Sequence, residues 1–417
     1  MPEYFSDEQA KIRENKIIEL LGKKILESEL MTRLHNVSFL GTLNLEIGSP
    51  IFFSRYEHCI SVAYLTWIYC KNLNLPSDTK LVVILLALIH DVGHPPFSHS
   101  TMVYLQRRAH YKKTERSALT EGKIKRVLQP GYESFPNELK KYSLDELSNL
   151  IYRISYSKKE LNSFCPIITE LFDTPFCPDT FDGINRAWFA INKPIALYRL
   201  QKHKVLPLTP MDPETLVNFV SSTGNPLQFS SRYTISSDNL IYQFHKLTRV
   251  LYNEIIYSSW QTSAMVMFSV AIDIAYKGIS HFPFSNIDDN RLLKRINKNV
   301  ESKTLYDQIF NEKYFDSLSL SEPELYKLAK ESYNISESSR SAKEIERIIA
   351  EKLFLKPEYV YCYVFYPLVW DYKNIHIEEI GDNLQNPKEK TYKIKYDRSE
   401  GEYSKNFQFE VFYRRSF

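Results

Sequence analysis

Ten consecutive residues, His90-Asp91-Val92-Gly93-His94-Pro95-Pro96-Phe97-Ser98-His99, hold three histidines and one aspartate. Imidazole and carboxylate groups this close together suit metal ligation and proton transfer. The run at 81–89 that leads into them contains no charged residue, so it reads as a buried helix delivering His90 and Asp91 from inside the fold. A His and an Asp at the end of a core helix are costly to desolvate unless something engages them. A divalent metal is the simplest partner, because it turns both into ligands. The plainer reading is a helix end with a capping Asp and a hydrogen-bonded His. Upstream, Arg55-Tyr56-Glu57-His58-Cys59-Ile60 sets His58 at the head of a second apolar, helix-like run at 60–69, with Val62, Leu65, Trp67 and Ile68 inside it.

The order of His58 and then the His90-Asp91 pair resembles the HD metal-dependent phosphohydrolase superfamily. Its ligands are one His, an adjacent His-Asp pair and a distant Asp. Three segments stand in sequence: Arg33-Leu34-His35-Asn36-Val37-Ser38-Phe39-Leu40-Gly41, then Ser54-Arg55-Tyr56-Glu57-His58, then the decapeptide at 90–99. Together they resemble the front half of the deoxynucleoside triphosphate triphosphohydrolases. That HD branch includes bacterial dGTPases and the animal sterile-alpha-motif/HD dNTPase. A looser similarity runs from Asn239-Leu240 through Thr248-Arg249 and Leu251-Tyr252 to Tyr257, so the resemblance spans residues 30–280.

The resemblance implies a divalent ion (Mn²⁺, Fe²⁺, Ni²⁺ or Mg²⁺) held by His58, His90, Asp91 and a fourth carboxylate. The family places that last ligand in a segment like Asp-x-Asp-Arg/Lys-x-Asp-Tyr. The nearest stretch here is Asp179-Thr180-Phe181-Asp182-Gly183-Ile184-Asn185-Arg186-Ala187-Trp188-Phe189. Asp182 is the first choice. Asn185, which precedes a basic residue as the family Asp does, and Asp179 and Asp173 stay open. Imidazoles with carboxylates suit a borderline-to-hard ion and leave room for water and a phosphate oxygen. The resemblance also places His94 and His99 in the active site, where histidines are suited to proton transfer. Arg55, one turn before His58, could clamp a phosphate with its planar guanidinium, or simply be a helix-start charge. Glu115 matches the Glu of a family His-Glu pair and takes a catalytic role on that match, although Thr114 replaces the His. Two more departures are Met102, where the family has an acid, and Phe39, where it has a sugar-contacting Gln. Phe39 is therefore expected to line the substrate pocket and weaken sugar discrimination.

The elements that must position these residues read as mainly helical. Residues 7–30 carry Ile12, Ile17, Ile18, Leu21, Ile25 and Leu30 at helical spacing. Helical pattern dominates to about residue 280. The stretches 129–136 and 172–182 read as loops, and 203–235 as a long connection with a helix start at Asp212-Pro213-Glu214. Further helical segments lie near 303–332 and 340–354, and 359–365, 391–396 and 407–413 read as strands. The expected architecture is an HD-type helical domain over 1–285 and a smaller C-terminal α+β region over 286–417. The aromatic C-terminal strands offer an oligomer contact.

At 417 residues and 43% hydrophobic, the chain can bury a sizeable core. A net charge of +3 argues against a dedicated nucleic-acid binder. Five widely spaced cysteines without a C-x-x-C (59, 70, 165, 177, 362) read as reduced thiols. The start, Met1-Pro2-Glu3-Tyr4, is not a signal-peptide pattern, and no apolar run approaches membrane-span length. A cytoplasmic protein that does not cross a membrane is expected. The functional expectation is hydrolysis of a (deoxy)nucleoside triphosphate to nucleoside and triphosphate. By the resemblance, its partners are the nucleotide substrate, an allosteric nucleotide and further copies of itself. The alternatives are an HD phosphodiesterase or phosphatase on another nucleotide, and a degenerate HD protein that senses nucleotide without turnover.

Overall fold

A computed structural model of the chain describes residues 3–46, 53–107, 120–156, 160, 164, 177–192, 209–221, 233–235, 240–256, 258–277, 284–319, 342–352, 360–365, 375–383, 386–396 and 408–413. The fold is mainly α-helical. Helix α1 (Asp7–Leu21) starts at Ser6, whose side chain accepts from the Gln9 amide. Helix α2 (Arg55–Asn72) opens with a full capping box, Ser54 and Glu57 each satisfying the other's backbone donor. This box fixes where the first turn of α2 begins, and so where Arg55 and His58 point. Helix α3 (Ser77–Ile89) buries every residue from Leu81 to Ile89, so it is apolar all round and lies inside the fold. It packs along α2, and α1 lies across both.

Next come α4 (His99–Arg107), α5 (Glu121–Leu128), α6 (Leu144–Tyr156) and α7 (Pro178–Ile191). Helix α7 corrects the end of the expected loop at 172–182, of which 172–176 lie outside the described residues. Pro178 occupies the first turn, where its missing N–H costs nothing, so the helix already runs through Asp179 and Asp182. Helix α8 (Pro213–Ser221) begins where its sequence signal puts it, with Asp212 accepting from the Thr215 amide. Helices α7 and α8 close over α2. Helix α9 (Leu240–Val250) runs into a π-helical turn at Leu251–Ile256, and α10 (Ser259–Ala275) follows.

Among the described residues the helices share two apolar cores. The first gathers α1, α2, α3, α7 and the residues around Trp188. The second centres on α10 and takes in α4, α11 (Asp289–Ile296) and α12 (Val300–Phe310), with residues from both sides of position 286. Val92 belongs to the first core and Phe97 to the second, so the His94–Ser98 turn bridges them. Helix α13 (Ala342–Lys352) lies beside β3, named below.

The strands are β1 (Tyr233–Ile235), β2 (Asp316–Ser319), β3 (Val360–Phe365), β4 (Ile375–Asn383), β5 (Asn386–Tyr396) and β6 (Gln408–Tyr413). Among the described residues they make two antiparallel three-stranded sheets, ordered β1-β5-β4 and β2-β6-β3. The second sheet contacts α10. Apart from buried Val360, the strand side chains expected at an oligomer contact lie outside the described residues. Among the described residues no single helix is long and apolar enough to cross a membrane. Cys59, Cys70 and Cys177 are buried and form no disulfide.

Leu85 is fully buried in the first core, whereas Ile12 is 45% exposed. Leu85→Ala is expected to cost about 2–5 kcal/mol of stability, and Ile12→Ala under about 0.5 kcal/mol. Chemical denaturation of the two variants checks the difference.

Candidate metal centre

His58 sits in the first turn of α2 and His90 caps the end of α3. The two rings lie 5.4 Å apart. Each is anchored through Nδ1. His58 Nδ1 is 2.7 Å from Asp182 Oδ2, and His90 Nδ1 is 2.7 Å from the Ala87 carbonyl oxygen. A carboxylate and a carbonyl can only accept, so both Nδ1 atoms carry a proton, and in the neutral ring each Nε2 presents a lone pair. Neither Nε2 makes a hydrogen bond, and both are buried. The two face the same carboxylates. Asp179 Oδ1 lies 3.0 Å from His58 Nε2 and 3.7 Å from His90 Nε2, and Asp91 lies 3.6 and 3.5 Å away. One donor atom each from His58, His90 and Asp179 fit within 4.8 Å of one another. Buried unbonded imidazole nitrogens facing acceptor-only groups repel unless a cation lies between them. This donor set fits a divalent ion.

Asp182 does not join that convergence, which corrects the expectation that it is the fourth ligand. It stands behind His58, on the Nδ1 side, fully buried. There Arg186 grips both oxygens, Nε to Oδ2 at 2.9 Å and Nη2 to Oδ1 at 3.0 Å, and Tyr4 donates its hydroxyl to Oδ1 at 3.3 Å. Burial alone would raise the Asp182 pKa, but Arg186 and His58 bring it down to about 2. Its geometry is that of a carboxylate orienting a metal-binding imidazole through the second ring nitrogen. Asn185 is committed elsewhere, donating to the Phe181 carbonyl at 2.8 Å and accepting from the Met211 amide. Asp173 lies outside the described residues. Asp179, the expectation's alternative, is the α7 carboxylate on the Nε2 side. With the helix starting at Pro178, Asp179, Asp182 and Arg186 fall one and two turns apart on one face.

Asp91 completes the group. Burial pushes its carboxyl up, but Arg55, His90 and His94 more than offset this and hold it well below the usual carboxylate range. His94 Nε2 lies 3.0 Å from Asp91 Oδ1, which leaves the buried Nδ1 of His94 without a partner. Burial and nearby Arg55 lower the His94 pKa, so the ring is neutral. His99 begins α4 at the exposed side of the centre, its ring edge-on to His94 at 5.4 Å.

The expected phosphate clamp Arg55 is buried and largely engaged. Nη1 pairs with Asp91 Oδ2, Nε donates to Ser98 Oγ at 2.9 Å, and Nη2 reaches the Phe39 carbonyl at 3.5 Å. Its first task is to aim Asp91. Phe39 lies at the centre, its ring 4.6 Å from the His58 ring and 4.6 Å from Arg55 Cζ. Gly183 leaves it space, since a Cβ there would come within 3.3 Å of Phe39 Cζ. Glu115 and Thr114 lie outside the described residues. Sequence reading missed Arg186, Tyr4 and Ser98. Arg186, four residues after Asp182, was the one with a visible signal, as an i,i+4 ion pair once α7 is drawn through both.

Residues 55–162 match the HD domain family. An uncharacterized protein of Mycoplasma pneumoniae is 30% identical over 96 residues, 22% of each chain. An uncharacterized protein of Methanocaldococcus jannaschii is 34% identical over 77 residues, 18% of this chain and 16% of that one. The similarity thus spans a fifth or so of these curated relatives' length. Two solved structures align along most of the chain. A hypothetical protein from Aquifex aeolicus has a TM-score of 0.52 at 16% identity, covering 93% of this chain and 91% of its own. A phosphohydrolase from Bacteroides thetaiotaomicron has a TM-score of 0.51 at 14% identity, covering 94% of both. Such low identities show a shared fold. The helices that carry His58, His90 and Asp91 lie within the segment that matches the HD domain family.

Proposed function

We propose that the chain is a metal-dependent phosphohydrolase that cleaves a (deoxy)nucleoside triphosphate into nucleoside and triphosphate. The observation that carries the reading is the pair of buried, unbonded Nε2 atoms of His58 and His90 facing Asp91 and Asp179. These four residues would hold the ion. What a divalent ion supplies when bound is Lewis-acid polarisation of a phosphoryl oxygen and a more acidic water. The remaining work belongs to the chain. Asp182 and the Ala87 carbonyl lock the tautomers that keep both Nε2 atoms available. Arg55 sets the angle of Asp91 and offers Nη2, its most weakly held nitrogen, to a phosphate. His94 is held through Nε2 by Asp91 and is neutral, so Nδ1 can take a proton from an attacking water. His99 stands beside it at the exposed edge. The segments around Phe39 and 90–99, which resemble the dNTP triphosphohydrolases, support a nucleotide as the substrate.

Metal binding separates the α7 carboxylates. Asp182→Asn is expected to weaken Mn²⁺ affinity by about 10–100-fold, since it removes an orienting partner and not a ligand. Asp179→Asn and the pair His90→Ala with Asp91→Ala are expected to weaken it further. Calorimetric titration of the folded variants checks the order, and a larger loss in Asp182→Asn than in Asp179→Asn would reverse the assignment.

The activity is checked by incubating Mn²⁺-loaded protein with a nucleotide panel and separating the products. Nucleoside with triphosphate is the expected result. Nucleoside monophosphate would favour a phosphodiesterase, and binding without turnover a sensor. The same panel tests Phe39→Gln, which is expected to shift the ratio of deoxyribo- to ribonucleotide rates, because a polar side chain beside the centre can read a hydroxyl that a phenyl ring cannot.

A further inference from the structure

Residues 37–39 and the turn at 95–98 reach the centre from outside the long helices. Both are fastened to one side chain. Asp289, in the first turn of α11, is 2% exposed. Its Oδ2 accepts from the Ser38 amide at 2.9 Å and its Oδ1 from the Phe97 amide at 2.7 Å. It is not spent on capping its own helix, because Asp288 does that by accepting from the Arg291 amide. The two fastened segments also hold each other. Ser98 Oγ donates to the Ser38 carbonyl and accepts from Arg55 Nε, and Arg55 pairs with Asp91. A continuous run of hydrogen bonds therefore links Asp289 to the centre.

The turn needs such a fastening. Phe97 and Ser98 have φ of +54° and +47°, two successive non-glycine residues in the left-handed region. Each is strained for an L side chain and persists only where the surroundings over-determine it. Asp289 and Arg55 supply that constraint from opposite ends.

We propose that Asp289 is a positioning residue for the HD centre. It holds segment 37–39 and the 95–98 turn in the register that keeps Ser98 and Arg55 on Asp91, and so ties the centre to the second core. The catalytic meaning of this tether rests on the function proposed above, but its structural test does not.

The tether carries its own pH dependence. Burial raises the Asp289 pKa to about 7, against the pull of the two backbone donors. The ionisable groups that face it are Arg33, neighbouring Asp288 and Tyr306 of α12. Arg33 is itself fixed, donating to the carbonyls of Ile287, Val92 and His94. Protonation puts a hydrogen on one oxygen and weakens one of the two tethers. The folded pKa is raised, so the stability contributed by this group is present below the ordinary carboxylate pKa and lost as pH rises through about 7. Global stability and loop tethering therefore move in opposite directions across neutral pH.

The experiment is amide hydrogen exchange in the full chain, read at Ser38 and Phe97. Asp289→Asn keeps the shape but turns one acceptor into a donor facing an N–H. Exchange at the amide left facing the new NH₂ is expected to quicken by roughly tenfold or more, as for a lost hydrogen bond to a charged group. Asp288→Asn, which keeps a cap, is expected to leave both unchanged. In the nucleotide assay Asp289→Asn is expected to lower kcat more than it changes KM. Should the variant fail to fold, the wild-type chain decides. Its exchange at these amides, corrected for intrinsic rate, is expected to slow between roughly pH 6 and 8 while stability falls. Unchanged exchange in folded Asp289→Asn, or a flat wild-type series where the variant does not fold, would overturn the tether. A wild-type chain that hydrolyses no nucleotide would remove the proposed function and leave the exchange result standing.

Discussion

The structure turns on an imbalance of charge that gathers buried Asp91 and Asp182 with half-exposed Asp179. Three carboxylates, Asp91, Asp179 and Asp182, meet two guanidiniums, Arg55 and Arg186, around a pair of imidazoles whose outer nitrogens are already protonated. Their inner nitrogens are lone pairs aimed at negative oxygen. In a low-dielectric interior such an arrangement is unfavourable unless positive charge enters it. Histidine protonation is one answer. Burial alone would lower the His90 pKa, but Asp91 and Asp179 lift it to about 9, so without an ion the ring is the proton's nearest refuge. A divalent cation is the other answer, and it supplies its charge at the point where the four groups converge.

Much of the remaining architecture holds those groups against the tendency to relax. The Ser54–Glu57 box fixes the start of α2, and Pro178 fixes the start of α7. Tyr4 and Arg186 brace Asp182, which braces His58. Arg55 and Ser98 brace Asp91 through a turn that carries two strained residues. The first core supplies the ligands, while the second contributes Asp289 and Phe97 to the turn between them. The centre therefore lies where the two cores meet, and its geometry depends on both.

The sequence made part of this legible. His58, His90 and Asp91 stood out because each ends or begins an apolar helix, where a polar ligand has no bland purpose. The helical character of the core followed from the same periodicity. The fourth position was harder. Asp179 and Asp182 are the same residue type in one short stretch, and Pro and Gly punctuation made its front look like a loop. Only the helix starting at Pro178 shows that one faces Nε2 and the other Nδ1 of His58. Asn185 resembled a ligand by its neighbour Arg186, yet serves to hold Met211. Asp289 gave no local signal, since an acidic residue in a first helical turn is ordinary. Its meaning comes from contacts to Ser38 and Phe97, far away in the chain.

The central claim is that one divalent ion resolves the charge conflict among His58, His90, Asp91 and Asp179. Anomalous X-ray scattering at the metal's absorption edge, from crystals grown with Mn²⁺, tests it most directly. The expected result is a single strong peak bound by both Nε2 atoms and by oxygens of Asp91 and Asp179, with Asp182 still on His58 Nδ1. No peak among these residues, or a peak ligated by Asp182, would contradict it.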